Sequence, residues 1–275
     1  MAFTRTARIV SGLLVALLVA GCYGPIGDLV ELDDADELHP FPTRETSEGP
    51  HRHEVRGIDI AKWQGDIEWE KVKASGVDFA FIKATEGADR ADERFRANWE
   101  AAKAAGMPRG AYHFNYWCSP WELQADFYIR TVPFDIDAMP PVLDLEWNNA
   151  SKSCPRGVDR DTALRGIRTF VEAVERHYGK RPILYADIKF YNDNLRHGAF
   201  ANYPLWVRSV KASPQARYPG RPWAFWQHSE KGKVPGIRWK TDLNVFAGSR
   251  AQWRTLVDNA FQSDARERDI VSSIL

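Results

Sequence analysis

From Gly57 onward, short apolar runs alternate with amphipathic stretches. The runs 57–60, 79–84, 110–114, 141–146, 182–186, 204–208, 223–228 and 241–246 have the length and the β-branched or aromatic content of buried strands. Between the early runs, apolar positions recur at helical spacing. Trp69 to Ser75 precedes Gly76, and Glu93 to Ala105 ends at Gly106. Pro120 to Arg130 follows Ser119, a suitable N-cap. Asp161 to Tyr178 closes at Gly179, the favoured residue just past a helix end. Ala251 to Phe261 predicts a closing helix. Strand–helix alternation predicts parallel strands, and eight strands predict an α/β fold, an irregular (β/α)8-like (TIM-type) barrel. Pro- and Gly-rich loops link the last three strands, so the helices are expected mainly in the first half.

The first fifty residues lack this rhythm. Arg5 and Arg8 precede an apolar stretch, Val10 to Ala20, that is short for a membrane span. It ends in Leu18-Val19-Ala20-Gly21-Cys22, which resembles a bacterial lipobox. The expected organisation is a lipoprotein signal peptide over 1–21 and a lipidated Cys22 opening a flexible acidic, Pro-rich tether over 22–55. The barrel then spans 56–262 and a tail 263–275. Lipidation would hold the chain on a membrane surface without spanning it. The residue after Cys22 is Tyr23, not the Asp that retains lipoproteins at an inner membrane, so the expected address is the periplasmic face of the outer membrane.

Charge narrows the partners. Lys plus Arg and Asp plus Glu each number 37, and loss of residues 1–21 removes two Arg, leaving a formal charge of −2. No basic stripe points to nucleic acid. Export would place Cys118 and Cys154 in an oxidising compartment. Each follows a predicted strand, and loops at one end of neighbouring parallel strands can meet, so a Cys118–Cys154 disulfide is expected.

The run Pro140-Pro141-Val142-Leu143-Asp144-Leu145-Glu146-Trp147 carries the chemistry. Side chains alternate along a strand, so Asp144 and Glu146 share one side while Leu143, Leu145 and Trp147 face a core. Neighbouring carboxyls in an apolar setting push their pKa values apart, which yields the acid and base that glycosidic cleavage needs. Further polar groups fall at the same strand ends, where barrel active sites lie. Asp59 sits on the first strand and Asp242 on the eighth, its neighbour in a closed barrel. Lys83 and Glu86 end the second. Tyr112, Tyr185, Trp206, Trp226 and Gln227 supply aromatic faces and hydrogen bonds of the kind that hold sugars. His113 reads as a hydrogen-bonded wall residue.

Several stretches together resemble one family. Gly57-Ile58-Asp59-Ile60-Ala61-Lys62-Trp63-Gln64-Gly65, Phe79-Ala80-Phe81-Ile82-Lys83-Ala84-Thr85-Glu86-Gly87, Ala111-Tyr112-His113-Phe114, Leu143-Asp144-Leu145-Glu146, and Trp226-Gln227 with Asp242-Leu243-Asn244 are similar to glycoside hydrolase family 25, the Chalaropsis-type lysozymes. The resemblance implies an irregular β/α barrel that cleaves the β-1,4 bond between N-acetylmuramic acid and N-acetylglucosamine in peptidoglycan. It makes Glu146 the general acid, Asp144 the carboxylate beside it, and Asp59 and Asp242 further acids of the cleft. Net retention is expected by either of two routes, direct attack by Asp144 or attack by the substrate's own N-acetyl oxygen, the second favoured because peptidoglycan sugars carry that group. No metal or organic cofactor is implied, and a monomer is expected. Val207-Arg208-Ser209 departs from the family, which more often has a small residue there.

Two rivals stand beside this reading. One is a peptidoglycan-binding lipoprotein that kept the barrel without activity, against which all four acids argue. The other is a phosphate-binding barrel isomerase. It would need a glycine-rich phosphate loop near the last strands, where the chain reads Ser229-Glu230-Lys231-Gly232-Lys233-Val234-Pro235-Gly236.

Overall fold

The computed structural model describes residues 49–258 apart from 150, 153, 155 and 156. The signal segment, Cys22, the tether up to residue 48 and the tail lie outside the described residues.

Eight strands close into a barrel. They are β1 (Arg56–Ile60), β2 (Phe79–Glu86), β4 (Arg109–Phe114), β5 (Val142–Leu145), β6 (Ile183–Ala186), β7 (Leu205–Arg208), β8 (Phe225–Gly232) and β9 (Thr241–Phe246). The order β1-β9-β8-β7-β6-β5-β4-β2 closes through β1–β2 pairing, and the two-residue β3 (Arg90–Ala91) folds back on β2. Helices α1 (Trp69–Ala74), α2 (Phe95–Ala104), α3 (Trp121–Thr131) and α4 (Arg160–Tyr178) pack outside the first half of the barrel. Later connections are loops with short helical turns, Ile188–Phe190 and Pro214–Arg217 among them, as the proline and glycine content predicts.

The sheet is mixed rather than all parallel. β9 pairs antiparallel with both β8 and β1. Only residues 233–240 separate β8 from β9, too few for the crossover of about a dozen residues that a parallel return needs. The reversal sets the site, because it brings the start of β9, with Asp242, to the rim where the other strands end.

Alternation sorts each strand. On β2, Phe79 and Phe81 point into the barrel, while Ala80 and Ile82 face the helices. The barrel lumen is filled by aromatics. Phe81 stacks on Trp206 at 4.5 Å between ring centres, and Tyr185 meets Trp206 edge-on at 4.7 Å. Gly57 faces this packing, and a Cβ there would run into the Phe79 ring. A helical segment over 250–258 brings Trp253 beneath Phe79 and Phe246. The core outside the strands is larger and includes Leu143, Leu145, Ile167, Phe170 and Val174.

Two local expectations need correction. Pro120, not Ser119, holds the N-cap position of α3, and no side chain caps it. The folded domain also begins earlier than predicted. Val55 is fully buried and its carbonyl accepts from the Phe246 amide, while His53 packs edge-on against Trp223 and Trp226. A run with few apolar residues masked these anchors. Gly179 does close α4 in the left-handed conformation, with φ of 64°.

Candidate active site

An open cleft of about 390 Å³ lies over the aromatic floor at the rim where β2 and β4 to β8 end. Asp59, Asp144, Glu146 and Asp242 all line it. So do Lys83, Tyr112, Tyr185, Trp206 and Gln227. Glu86 lies on an adjoining cavity that shares Trp63 and Lys83 with the cleft. There it accepts from Lys83 at 2.6 Å and from the Tyr116 hydroxyl at 2.7 Å.

Trp226 does not belong to this surface. It alternates with Phe225 and Gln227 on β8, so when Gln227 turns inward Trp226 turns out. Its indole N–H donates to the Ser209 carbonyl at 2.8 Å, and the ring is packed in the outer core. Adjacency to Gln227 in sequence does not place it on the cleft, because the two-residue period of a strand turns neighbours to opposite faces.

Asp144 and Glu146 emerge side by side from β5. Asp144 is buried, and its Oδ1 has no hydrogen-bond partner among the described residues. Burial and then the charge of Glu146 drive its pKa well above the ordinary carboxylate range, against the pull of Lys83. Burial also lifts Glu146, to about 7, assisted by the carboxyl of Asp187 and opposed by Arg208. This pair therefore holds a proton near neutrality. The Glu146 backbone is clamped from the outer side, where the Trp117 indole donates to its carbonyl at 2.6 Å. Trp117 stacks on Phe190 and packs on Trp147, whose indole donates to Asp193 at 2.7 Å. The Cys118–Cys154 disulfide ties the loops after β4 and β5 beside this cluster.

Asp59 and Asp242 face each other across the antiparallel β1–β9 ladder. Asp59 Oδ2 accepts from Asn244 at 2.7 Å and from Gln227 at 2.9 Å. Asn244 is oriented by the Trp206 indole at 2.8 Å, and Gln227 by the Tyr185 hydroxyl at 3.0 Å. Burial raises the pKa of Asp59 to about 6, less than burial alone would because these donors favour its anion. Asp242 has no such pair of amide donors. Burial and the facing Asp59 raise it to about 8. At neutral pH Asp242 keeps its proton and donates to an ionised Asp59.

His113 is a wall residue, as its sequence setting suggests. Thr85 and Gln124 hold its two ring nitrogens at 2.7 and 3.1 Å, and burial pushes its pKa down to about 4. Trp63, Gln64, Arg208 and Glu230 also line the cleft; neither they nor Asn244 and Asp187 are among the site residues expected from sequence. Arg208 and Asn244 were within reach of the alternation rule, since each lies two residues beyond an assigned neighbour, Trp206 and Asp242.

A barrel rim carrying four acids, several with raised pKa, over an aromatic floor defines a glycoside hydrolase site. Residues 58–237 match the model of glycosyl hydrolases family 25, and the chain belongs to that family. It is 35% identical over 216 residues to Lysozyme M1 of Streptomyces globisporus, covering 74% of this chain and 72% of that one. It is 37% identical over 218 residues to YegX of Escherichia coli K12, covering 76% and 75%. Among solved structures, a family 25 glycosyl hydrolase from Bacillus anthracis superposes with a TM-score of 0.68 at 36% identity, over 76% of this chain and 98% of that one. The lysozyme of Streptomyces coelicolor superposes with a TM-score of 0.66 at 33% identity, over 78% and 100%.

Proposed function

We propose that this chain is a peptidoglycan muramidase, cleaving the β-1,4 bond between N-acetylmuramic acid and N-acetylglucosamine with net retention. Similarity to Lysozyme M1 supports the substrate class. The observation that carries the mechanism is the Asp144–Glu146 pair, with a proton available near pH 7 and one buried carboxyl oxygen lacking a donor. An acetamido N–H is a suitable donor for Asp144 Oδ1. Accepting it would favour the Asp144 anion and leave the shared proton on Glu146. Glu146 then protonates the leaving oxygen while the acetamido oxygen attacks the anomeric carbon, and the leaving C–O bond breaks. The resulting oxazolinium ion is opened by a water that Glu146 deprotonates, which restores the acid and gives retention. Ionised Asp59, pinned by Asn244 and Gln227, supplies negative potential opposite the developing positive charge.

Export and lipid attachment at Cys22 belong to the same reading, on the strength of Leu18-Val19-Ala20-Gly21-Cys22. The proposed address is the periplasmic face of the outer membrane, with the enzyme acting as a monomer. The deciding experiment is mass spectrometry of digested cell walls, which reads the new reducing end, with proton NMR of the fresh products, which reads the anomer. New reducing ends on muramic acid, with the β-anomer formed first, support the proposal. Reducing ends on glucosamine, or an α-anomer first, would overturn it.

A further inference from the structure

Five of the seven charged groups lining the cleft are carboxyls: Asp59, Asp144, Glu146, Glu230 and Asp242. Near neutrality Asp242 and the Asp144–Glu146 pair each keep a proton, which leaves three carboxylates that oppose an anionic ligand, yet a muramic-acid glycan bears carboxylates. Two cations interrupt this acidic wall. Lys83, on the β2 side, is engaged by Glu86 at 2.6 Å and lies 4.7 Å above the Phe114 ring. Arg208, on the opposite wall, is held differently. It lies two residues beyond Trp206 on β7, so its side chain shares that face and turns toward the cleft while Val207 enters the outer core. Its register partner is Gln227, the residue that binds Asp59 and Asp242. Nε, at 2.8 Å, and Nη2 both donate to one oxygen of Glu230, so a single carboxylate oxygen occupies two of the guanidinium donors. Among the described residues, Nη1 has no acceptor. The group is one-third exposed, and its charge is felt at Glu146, Asp187 and Asp242.

We propose that Arg208 recognises a carboxylate on the substituent of the sugar bound beside Glu146, and so selects anionic glycan over neutral glycan. Glu230 holds the guanidinium in place and competes for it. The proposal rests on the muramidase reading above. A guanidinium fork suits this task because it can keep one carboxylate while accepting a second. The recognised carboxylate belongs either to a lactyl group freed of its peptide or to the stem peptide itself.

The test compares kcat/KM on four substrates prepared from one cell wall. These are glycan strands stripped of stem peptides, the same strands with lactyl carboxylates converted to amides, and peptide-bearing strands with peptide carboxylates free or amidated. The readout is the ratio of carboxylate to amide form. Arg208→Gln should lower that ratio about 10- to 100-fold, the worth of one charge-assisted hydrogen bond, and chiefly through KM. Arg208→Lys should recover part of it, and Glu230→Gln should raise it by freeing the guanidinium. A fall on stripped strands assigns the lactyl carboxylate, and a fall confined to peptide-bearing strands assigns the peptide. A ratio unchanged in Arg208→Gln overturns the proposal. So does a shift of the pH profile that is equal on charged and amidated strands, which would mark Arg208 as a tuner of Glu146 alone. If the parent enzyme cleaves none of the four, it is the muramidase reading that fails.

Discussion

The two carboxyl pairs of the cleft are built in opposite ways. Asp144 and Glu146 come from the end of one strand, two residues apart, and among the described residues no amide side chain holds either of them, although the Tyr185 hydroxyl also reaches Glu146. Asp59 and Asp242 come from the two ends of the domain and share a lattice of Trp206, Asn244, Gln227 and Tyr185. The first pair is left electrostatically unsettled, and so can pass a proton. The second is settled by fixed donors, and so can hold a charge in place. On the proposed reading, the contrast separates acid–base work from electrostatic support within one cleft.

The sharpest way to break this comparison is substitution. Glu146→Gln should cut kcat on cell walls by about 10³–10⁴-fold, toward the upper range for a general acid, with no loss of melting temperature. Asp144→Asn should follow at roughly 10²–10³-fold, since an amide cannot carry the charge that orients the acetamido group. Asp59→Asn should cost less, about 10- to 100-fold, and Asp242→Asn less again, because Asp242 already keeps a proton at neutral pH. Equal losses at Asp59 and Glu146 in steady-state kinetics would erase the proposed division of labour.

A pH profile sharpens it further. The basic limb of kcat/KM should fall as pH rises through about 7, where Glu146 of the free enzyme gives up its proton, and Glu146→Asp should move that limb. Stability should move the same way. The folded pKa values of Glu146, Asp59 and Asp242 lie above those of free side chains. Their contribution is therefore fully present below about pH 4 and lost as pH rises through about 6 to 8. Glu86 and Asp135, whose cationic partners hold them below the usual range, act in the opposite sense on acidification. Glu146→Gln should accordingly stabilise the domain at pH 8 by on the order of 2 kcal/mol and far less at pH 5, as read by thermal unfolding. No difference between the two pH values would mean that burial of Glu146 costs nothing.

Much of this arrangement was legible before the fold. The strands announce themselves because a barrel wall is buried on both faces and must be written in apolar runs. Asp144 and Glu146 stand out because acids do not belong in such a run. Where the reading failed, the missing quantity was direction. Trp226 was placed beside Gln227 although strand neighbours face opposite ways. β9 was assumed parallel although the segment before it is too short to cross over. Arg208 was noticed as a departure but given no role, because its meaning depends on Glu230, which reaches it from the next strand. His53 and Val55 were assigned to the tether because their burial depends on Trp223 and Phe246, far along the chain.

The Cys118–Cys154 cross-link closes a span of 36 residues that contains β5, the strand bearing the acid pair. By loop-closure arguments such a link is worth about 4 kcal/mol to the folded state. A thiol pair stays open in a reducing cytoplasm and closes in an oxidising envelope. If the chain is exported as proposed, the last tightening around Asp144 and Glu146 waits until it has left the reducing compartment in which it is made.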